Sequence, residues 1–143
     1  MTNSSPNEEK KPDENSKIEF VLDASALLAL FFEEPGGEAV RALAPRSAIG
    51  AINYFEVLAK MARRSGDVQG AARTLGQLDM PVIPFDRAIA DEGADLLPYG
   101  WTHGLSLADR ACLTLARRLG VPAVTADRRW DIEGLPVRVQ FIR

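Results

Sequence analysis

The sequence has little of what many catalytic and structural chemistries require. Its 143 residues include one cysteine, Cys112, and one histidine, His103. A lone cysteine excludes an internal disulfide and any cysteine-rich zinc site, and it fits a reducing, cytoplasmic setting. A lone histidine excludes general acid–base catalysis by a histidine pair. No apolar run approaches the roughly 18 residues of a membrane span, and the N-terminus is polar where a signal peptide would need an apolar core. Neither a membrane nor a secretory destination is expected. No GxxxxGK[ST] loop occurs, which excludes a P-loop nucleotide site. Lysine is scarce too: after residue 17 Lys60 stands alone beside 13 arginines. That bias suits phosphate recognition by a planar fork, and coding bias in an Ala-, Arg- and Gly-rich chain explains it equally well.

What is present divides into two parts. Residues 1–17, MTNSSPNEEKKPDENSK, have Met1 as their one apolar side chain and cannot bury enough to offset ordering entropy, so a disordered leader is expected. Residues 18–143 suffice for one domain that buries roughly two-thirds of its unfolded surface. Short apolar runs alternate there with helical patterns. Strands are expected at 18–22, 47–50, 81–85, 121–125 and 137–142. Helices are expected at 25–32, 38–43, from Asn53 to Ser65, from Asp67 to about Leu78, at 86–97 and at 106–119, with 98–104 a loop carrying Trp101 and His103. Strands separated by helices imply a mostly parallel sheet covered on both faces, a three-layer α/β/α sandwich.

Ligands of such sheets bind beyond the carboxyl ends of the strands. Asp23 ends the first strand in Val21-Leu22-Asp23-Ala24-Ser25, and Asp127 follows another in Val124-Thr125-Ala126-Asp127. Helix starts lie at the same edge, and two carry an acid three residues after a candidate cap: Asn53-Tyr54-Phe55-Glu56 and Ser106-Leu107-Ala108-Asp109. Each acid has a plain local reading as a capping-box partner or an Asx turn. Jointly the four would repel one another unless a cation sits between them, and all-oxygen ligation favours Mg²⁺ or Mn²⁺ over zinc.

The strand-end Asp23-Ala24-Ser25, Asn53-x-x-Glu56-Val57-Leu58, Leu105-Ser106-Leu107-Ala108-Asp109 and Val124-Thr125-Ala126-Asp127-Arg128 resemble, in order and spacing, the PIN-domain ribonucleases, most closely the VapC toxins of bacterial type II toxin–antitoxin modules. The likeness covers about residues 18–143 and leaves the leader outside it. It implies a five-stranded parallel sandwich, Mg²⁺- or Mn²⁺-dependent RNA cleavage, a homodimer and inhibition by a small cognate antitoxin. Carried over, Asp23 and Asp109 would be the principal metal ligands, Glu56 and Asp127 would complete the acidic cluster, and Ser25 and Thr125 would orient carboxylates or waters. The expected reaction is in-line attack of a metal-activated water on a phosphodiester.

Arg110, Arg128 and Arg129 adjoin the acids in sequence, as RNA-phosphate contacts or as solvent-exposed or antitoxin-facing charge. Trp101 and Tyr99 are read as an aromatic loop folded over the core, with base stacking the other option. Cys112 is expected in the core, and His103 as a loop hydrogen-bonder. Leu27, Leu28, Leu30, Phe31, Phe32, Tyr54 and Phe55 exceed what one sheet face needs, leaving material for core or for a partner groove. Phosphatase or receiver readings need a lysine near the acidic edge, and Lys60 falls mid-helix. The alternative from another class is a catalytically silent PIN scaffold that binds protein or RNA.

The net charge of −3 points away from RNA until it is divided. Without the leader and the four clustered carboxylates, 12 acids and 14 bases remain. A local anionic site in a mildly basic surround is the expectation.

Overall fold

A computed structural model describes residues 18–143; the expectation for residues 1–17 lies outside the described residues. Five strands form one all-parallel sheet: β1 (Phe20–Leu22), β2 (Ser47–Gly50), β3 (Val82–Ile83), β4 (Ala123–Thr125) and β5 (Val139–Phe141), in the order β3-β2-β1-β4-β5. The helices are α1 (Ala24–Phe31), α2 (Gly37–Leu43), α3 (Ala51–Ser65), α4 (Val68–Gly76), α5 (Arg87–Glu92), α6 (Pro98–His103) and α7 (Leu107–Leu119). The chain builds outward from β1 to β3 on one side, then returns to lay β4 against the other side of β1. Val21 is in register with Ala48 on one flank and Ala123 on the other. The order reverses between β1 and β4, and a crevice opens at such a switch point.

Two cores cover the two faces. Leu22, Leu27, Ile49, Val57, Leu75 and Val124 anchor one beneath α1, α3 and α4; Val21, Leu96, Leu113, Leu115, Ala123 and Trp130 anchor the other beneath α7. Alternate residues of β1 feed opposite cores, as the period of two requires. Cys112 is fully buried in the second core, as expected. The apolar surplus of α1 and α3 goes mostly to the first core, with Leu27 and Leu28 buried, Leu30, Phe31, Phe32 and Tyr54 packed against it, and Phe55 exposed.

The strand expected at 47–50 is found at those bounds, the other four are trimmed to the segment that pairs, and four helix assignments change. Helix α3 begins at Ala51 with Gly50 as its cap, so Asn53 is not a cap but a buried residue of the first turn. Helix α4 ends at Gly76 rather than Leu78. The single helix expected over 86–97 breaks at Gly93: Arg117 Nη2 donates to the Glu92 carbonyl at 2.8 Å, and Gly93 lies so close to Thr114 that a Cβ would meet its Oγ1 at 2.5 Å. The segment read as a loop, 98–104, is α6. Pro98 supplies the fixed φ of a first helical position, and Gly104, at φ +73°, ends the helix in the left-handed region.

Gly37 opens α2 against α1, where a Cβ would run into the Ala29 carbonyl oxygen and the Leu30 Cα. Gly37→Ala is expected to lower stability by about 1–3 kcal/mol through overpacking. Gly76, whose Cβ would meet open space, gives the opposite sign, a gain of about 0.5–1 kcal/mol for Gly76→Ala. Urea denaturation of the two variants beside the parent checks both.

Candidate active site

The site is built on Asp23, the residue that leaves β1 and caps α1. Asp23 is 4% exposed, and among the described residues Oδ2 carries all of its side-chain hydrogen bonds. Ser25 Oγ donates to it at 2.6 Å and Thr125 Oγ1, from the end of β4, at 2.9 Å, with the Ser25 amide at 3.4 Å. Each hydroxyl also accepts a backbone amide: Ala126 N–H reaches Ser25 Oγ at 2.9 Å, and Asp127 N–H reaches Thr125 Oγ1 at 3.0 Å. A hydroxyl has one proton to give, and both are given to Asp23. The 3.1 Å approach of Ser25 Oγ to Thr125 Oγ1 is thus a contact between two committed donors.

Burial pushes the Asp23 carboxyl up to about 6; the Ser25 and Thr125 hydroxyls oppose the rise, and the charges of Asp109 and Glu56 add to it. Three of the four expected acids therefore feel one another. Asp109, 8% exposed, sits at the N-terminus of α7 in a complete capping box: Ser106 N–H donates to its Oδ2 at 2.9 Å, and its own N–H donates to Ser106 Oγ at 3.0 Å. Capping occupies Oδ2 and leaves the other carboxylate oxygen free of that bond. Among the described residues, Oδ1 of both Asp23 and Asp109 accepts no protein hydrogen bond. Glu56 lies in the second turn of α3, with Lys60 Nζ 3.8 Å from its Oε2.

Asp127 stands apart from this group. Arg129 clamps it, Nη2 on Oδ2 at 2.7 Å and Nε at 3.1 Å from both oxygens, while the Arg129 amide holds Oδ1 at 2.9 Å. The guanidinium holds the Asp127 carboxyl below its usual range. Among the described residues no three Asp, Glu, His or Cys side chains form a ready metal-ligand group. The four acids come from segments that end at one edge of the sheet, and among the described residues they do not close into one cluster. Each takes the nearest donor instead: hydroxyls for Asp23, a helix terminus for Asp109, Lys60 for Glu56, Arg129 for Asp127.

The donor set still fits a hard divalent ion. It offers hard anionic oxygens, and among the described residues Asp23 and Asp109 each have one that accepts no protein hydrogen bond.

The other candidates are dispersed. Arg110 is structural: Nη1 donates to the Leu97 carbonyl at 2.6 Å and Nε to the Ser106 carbonyl at 3.1 Å, with the guanidinium lying against Gly100. Arg128 lies 4.6 Å over the Phe141 ring. His103 pairs locally, Nδ1 2.8 Å from Thr102 Oγ1. Tyr99 packs on the second core, whereas Trp101, expected to fold over it, is 79% exposed. Sequence reasoning missed the role of Asn53, whose Nδ2 donates to the Ala108 carbonyl at 3.1 Å and ties α3 to the first turn of α7. Its position one turn before Glu56, on the buried side of the helix, was the available signal.

A model of the PIN domain family matches residues 20–132. The chain belongs to the PIN domain family. The same PIN fold occurs in a toxin–antitoxin complex from Klebsiella pneumoniae, 23% identical with a TM-score of 0.67, over 86% of this chain and 97% of that one. DNA-bound VapBC from Salmonella typhimurium has a TM-score of 0.69 at 16% identity, over 88% of this chain and 99% of that one. FitAcB from Neisseria gonorrhoeae has a TM-score of 0.62 at 20% identity, over 84% and 95%. Comparison with curated proteins gives no match.

Asp23 also gives the metal-free PIN domain a pH signature. The folded chain holds this proton more tightly than the unfolded chain, whose aspartate titrates near 3.8. This contribution to stability is fully present below about pH 4 and is lost as pH rises through about 6. The loss is on the order of 3 kcal/mol. Chemical denaturation in EDTA across pH 4–7 is expected to show that decline in the parent and a flatter profile in Asp23→Asn.

Proposed function

We propose that this chain is the toxin of a type II toxin–antitoxin module, an endoribonuclease that uses Mg²⁺ or Mn²⁺ to hydrolyse RNA phosphodiesters. One observation carries the reading: the buried Asp23 carboxyl at the β1–β4 switch point, with Asp109 and Glu56 close enough to raise it and one oxygen free on each aspartate. Membership of the PIN domain family supports a nuclease. The solved structures of the same fold include complexes named as toxin–antitoxin and VapBC assemblies, which supports an antitoxin partner. So does an open groove lined by Phe31, Phe32, Met61, Arg64, Ala71 and Thr74, where apolar surface meets a guanidinium 4.1 Å over Phe32. A cytoplasmic homodimer completes the proposal; among the described residues no helix is long and apolar enough to cross a membrane.

Asp23 and Asp109 would hold the ion through their free oxygens, with Glu56 and Asp127 completing the shell directly or through water. When bound, such an ion supplies Lewis-acid activation of water and screening of phosphate charge. The protein's share is positioning. Ser25 and Thr125 fix Asp23 by its Oδ2, the Ser106 cap fixes Asp109 by its Oδ2, and Asn53 holds the first turns of α3 and α7 together so that Glu56 and Asp109 keep their spacing. Arg129, 61% exposed at its side chain and paired with Asp127, is the cation best placed to meet a substrate phosphate.

Asp23→Asn and Asp109→Asn are each expected to lose at least about 100-fold in Mg²⁺-dependent cleavage of RNA, together with growth inhibition on induction. A variant that cuts like the parent refutes the assignment. Thr125→Val keeps the shape and deletes a donor to Asp23, and a roughly 10-fold loss is expected in Mn²⁺ affinity by titration calorimetry. A second reading, the silent scaffold, is favoured by the Arg129 clamp on Asp127. RNA cleavage assayed across a Mg²⁺ and Mn²⁺ titration separates the two: no cleavage at any metal concentration selects the scaffold.

A further inference from the structure

Trp101 is the most exposed of the large apolar side chains among the described residues, at 79%. We propose that its indole is a stacking platform for an unpaired nucleobase of RNA, seated beside the acidic edge. The inference rests on the nuclease reading and adds the contact through which this chain would choose where to cut.

The support is rigid. Helix α6 opens on Pro98 and closes at Gly104, and Thr102 Oγ1 bonds back to the Pro98 carbonyl at 3.2 Å. Arg110 braces it from below: its guanidinium holds the Leu97 carbonyl and occupies the space a side chain at Gly100 would need. Tyr99, 5.8 Å from the His103 ring, packs on the second core. Trp101 is thus presented on a braced turn, with few rotatable bonds of its own to order when a ring stacks on it.

The location joins it to the acids. Gly104, which ends α6, accepts Arg129 Nη1 at 3.3 Å, and that same arginine grips Asp127. Ser106, two residues on, bonds to Asp109. Trp101 precedes Gly104 by three residues, about 5 Å of helix rise. A polyanion drawn to Arg129 and a divalent ion would bring its next base to the indole. The occupant is chosen by charge: Arg129, 61% exposed and bonded to the Gly104 carbonyl at the end of α6, favours a polyanion there. Along the chain Trp101 is flanked by Gly100, Thr102, His103 and Gly104, while Leu97, one turn earlier, is 41% exposed and Leu107 71%.

The chain has two tryptophans, and Trp130 is 1% exposed, so quenching by direct contact with a bound base acts on the Trp101 share of the emission, and Trp101→Ala supplies the Trp130 background. Titration of the full chain in EDTA with a short single-stranded RNA of mixed sequence is expected to quench that emission, and a blunt RNA duplex is expected to quench it far less. By anisotropy of labelled RNA, Trp101→Ala is expected to bind about 5- to 100-fold more weakly, and Trp101→Phe to recover most of the loss. In Mg²⁺, Trp101→Ala should raise KM with kcat within about 2-fold of the parent. Unchanged RNA affinity in Trp101→Ala, or no quenching by single-stranded RNA, overturns the proposal. A changed elution volume with unchanged RNA affinity also overturns it and assigns the indole to contact between copies. A parent that cuts RNA while Trp101→Ala cuts identically removes the platform and leaves the nuclease. A parent that is quenched by RNA yet never cuts removes the nuclease and leaves the platform.

Discussion

One buried negative charge organises this protein. Asp23 is held where β1 ends, 4% exposed, and a carboxylate there is tolerated because two hydroxyls spend their protons on it. One hydroxyl is two residues away and the other is 102 residues away, on the neighbouring strand. The bond from Thr125 to Asp23 therefore exists only if β4 lies beside β1. The charge, the strand order and the crevice at the switch point depend on one another. The hydroxyls do not fully compensate the burial, and the carboxyl stays raised.

The same economy recurs around the edge. Asp109 stabilises the start of α7 through Oδ2 and keeps Oδ1 for other use. A capping carboxylate is already favoured by the helix dipole, so the fold keeps an anion at a functional edge at little cost. Asp127 is neutralised by an arginine two residues away, in a short turn that leaves the guanidinium largely solvent-exposed. Exposed ion pairs of this kind contribute little to stability, so the clamp can exchange Asp127 for another anion cheaply. Glu56 has the weakest local partner, a lysine at 3.8 Å.

Local signals were legible where the physics is local. The Ser106-x-x-Asp109 box and the helix ends at Ser65 and Leu119 are visible in the sequence, and each appears in the fold. The strand-end aspartates were visible because β1 and β4 are short apolar runs ending on an acid. Errors arose where a distant group decided the outcome. Proline and two glycines in 98–104 look like a loop, but Arg110, from α7, braces them as a helix. Gly93 looks tolerable inside a helix until Arg117 takes the Glu92 carbonyl. Asn53 looks like a cap until Ala108 supplies a buried partner. Trp101 reads as part of an aromatic loop folded over the core, yet Tyr99 alone of the pair packs there, beside Trp130 and Leu96.

The sequence by itself determined the alternation of strands and helices, the parallel sheet, and which acids end strands or begin helices, because hydrophobic period and capping act within a few residues. Tertiary structure alone decided that β4 returns to the flank of β1, that three of the acids share one field while Arg129 withdraws the fourth, and that the Trp101 indole stands exposed on α6. These outcomes depend on contacts between residues tens to a hundred positions apart. Such contacts leave no periodic trace in the chain, since they are settled by which surfaces remain to be buried once the local elements have formed.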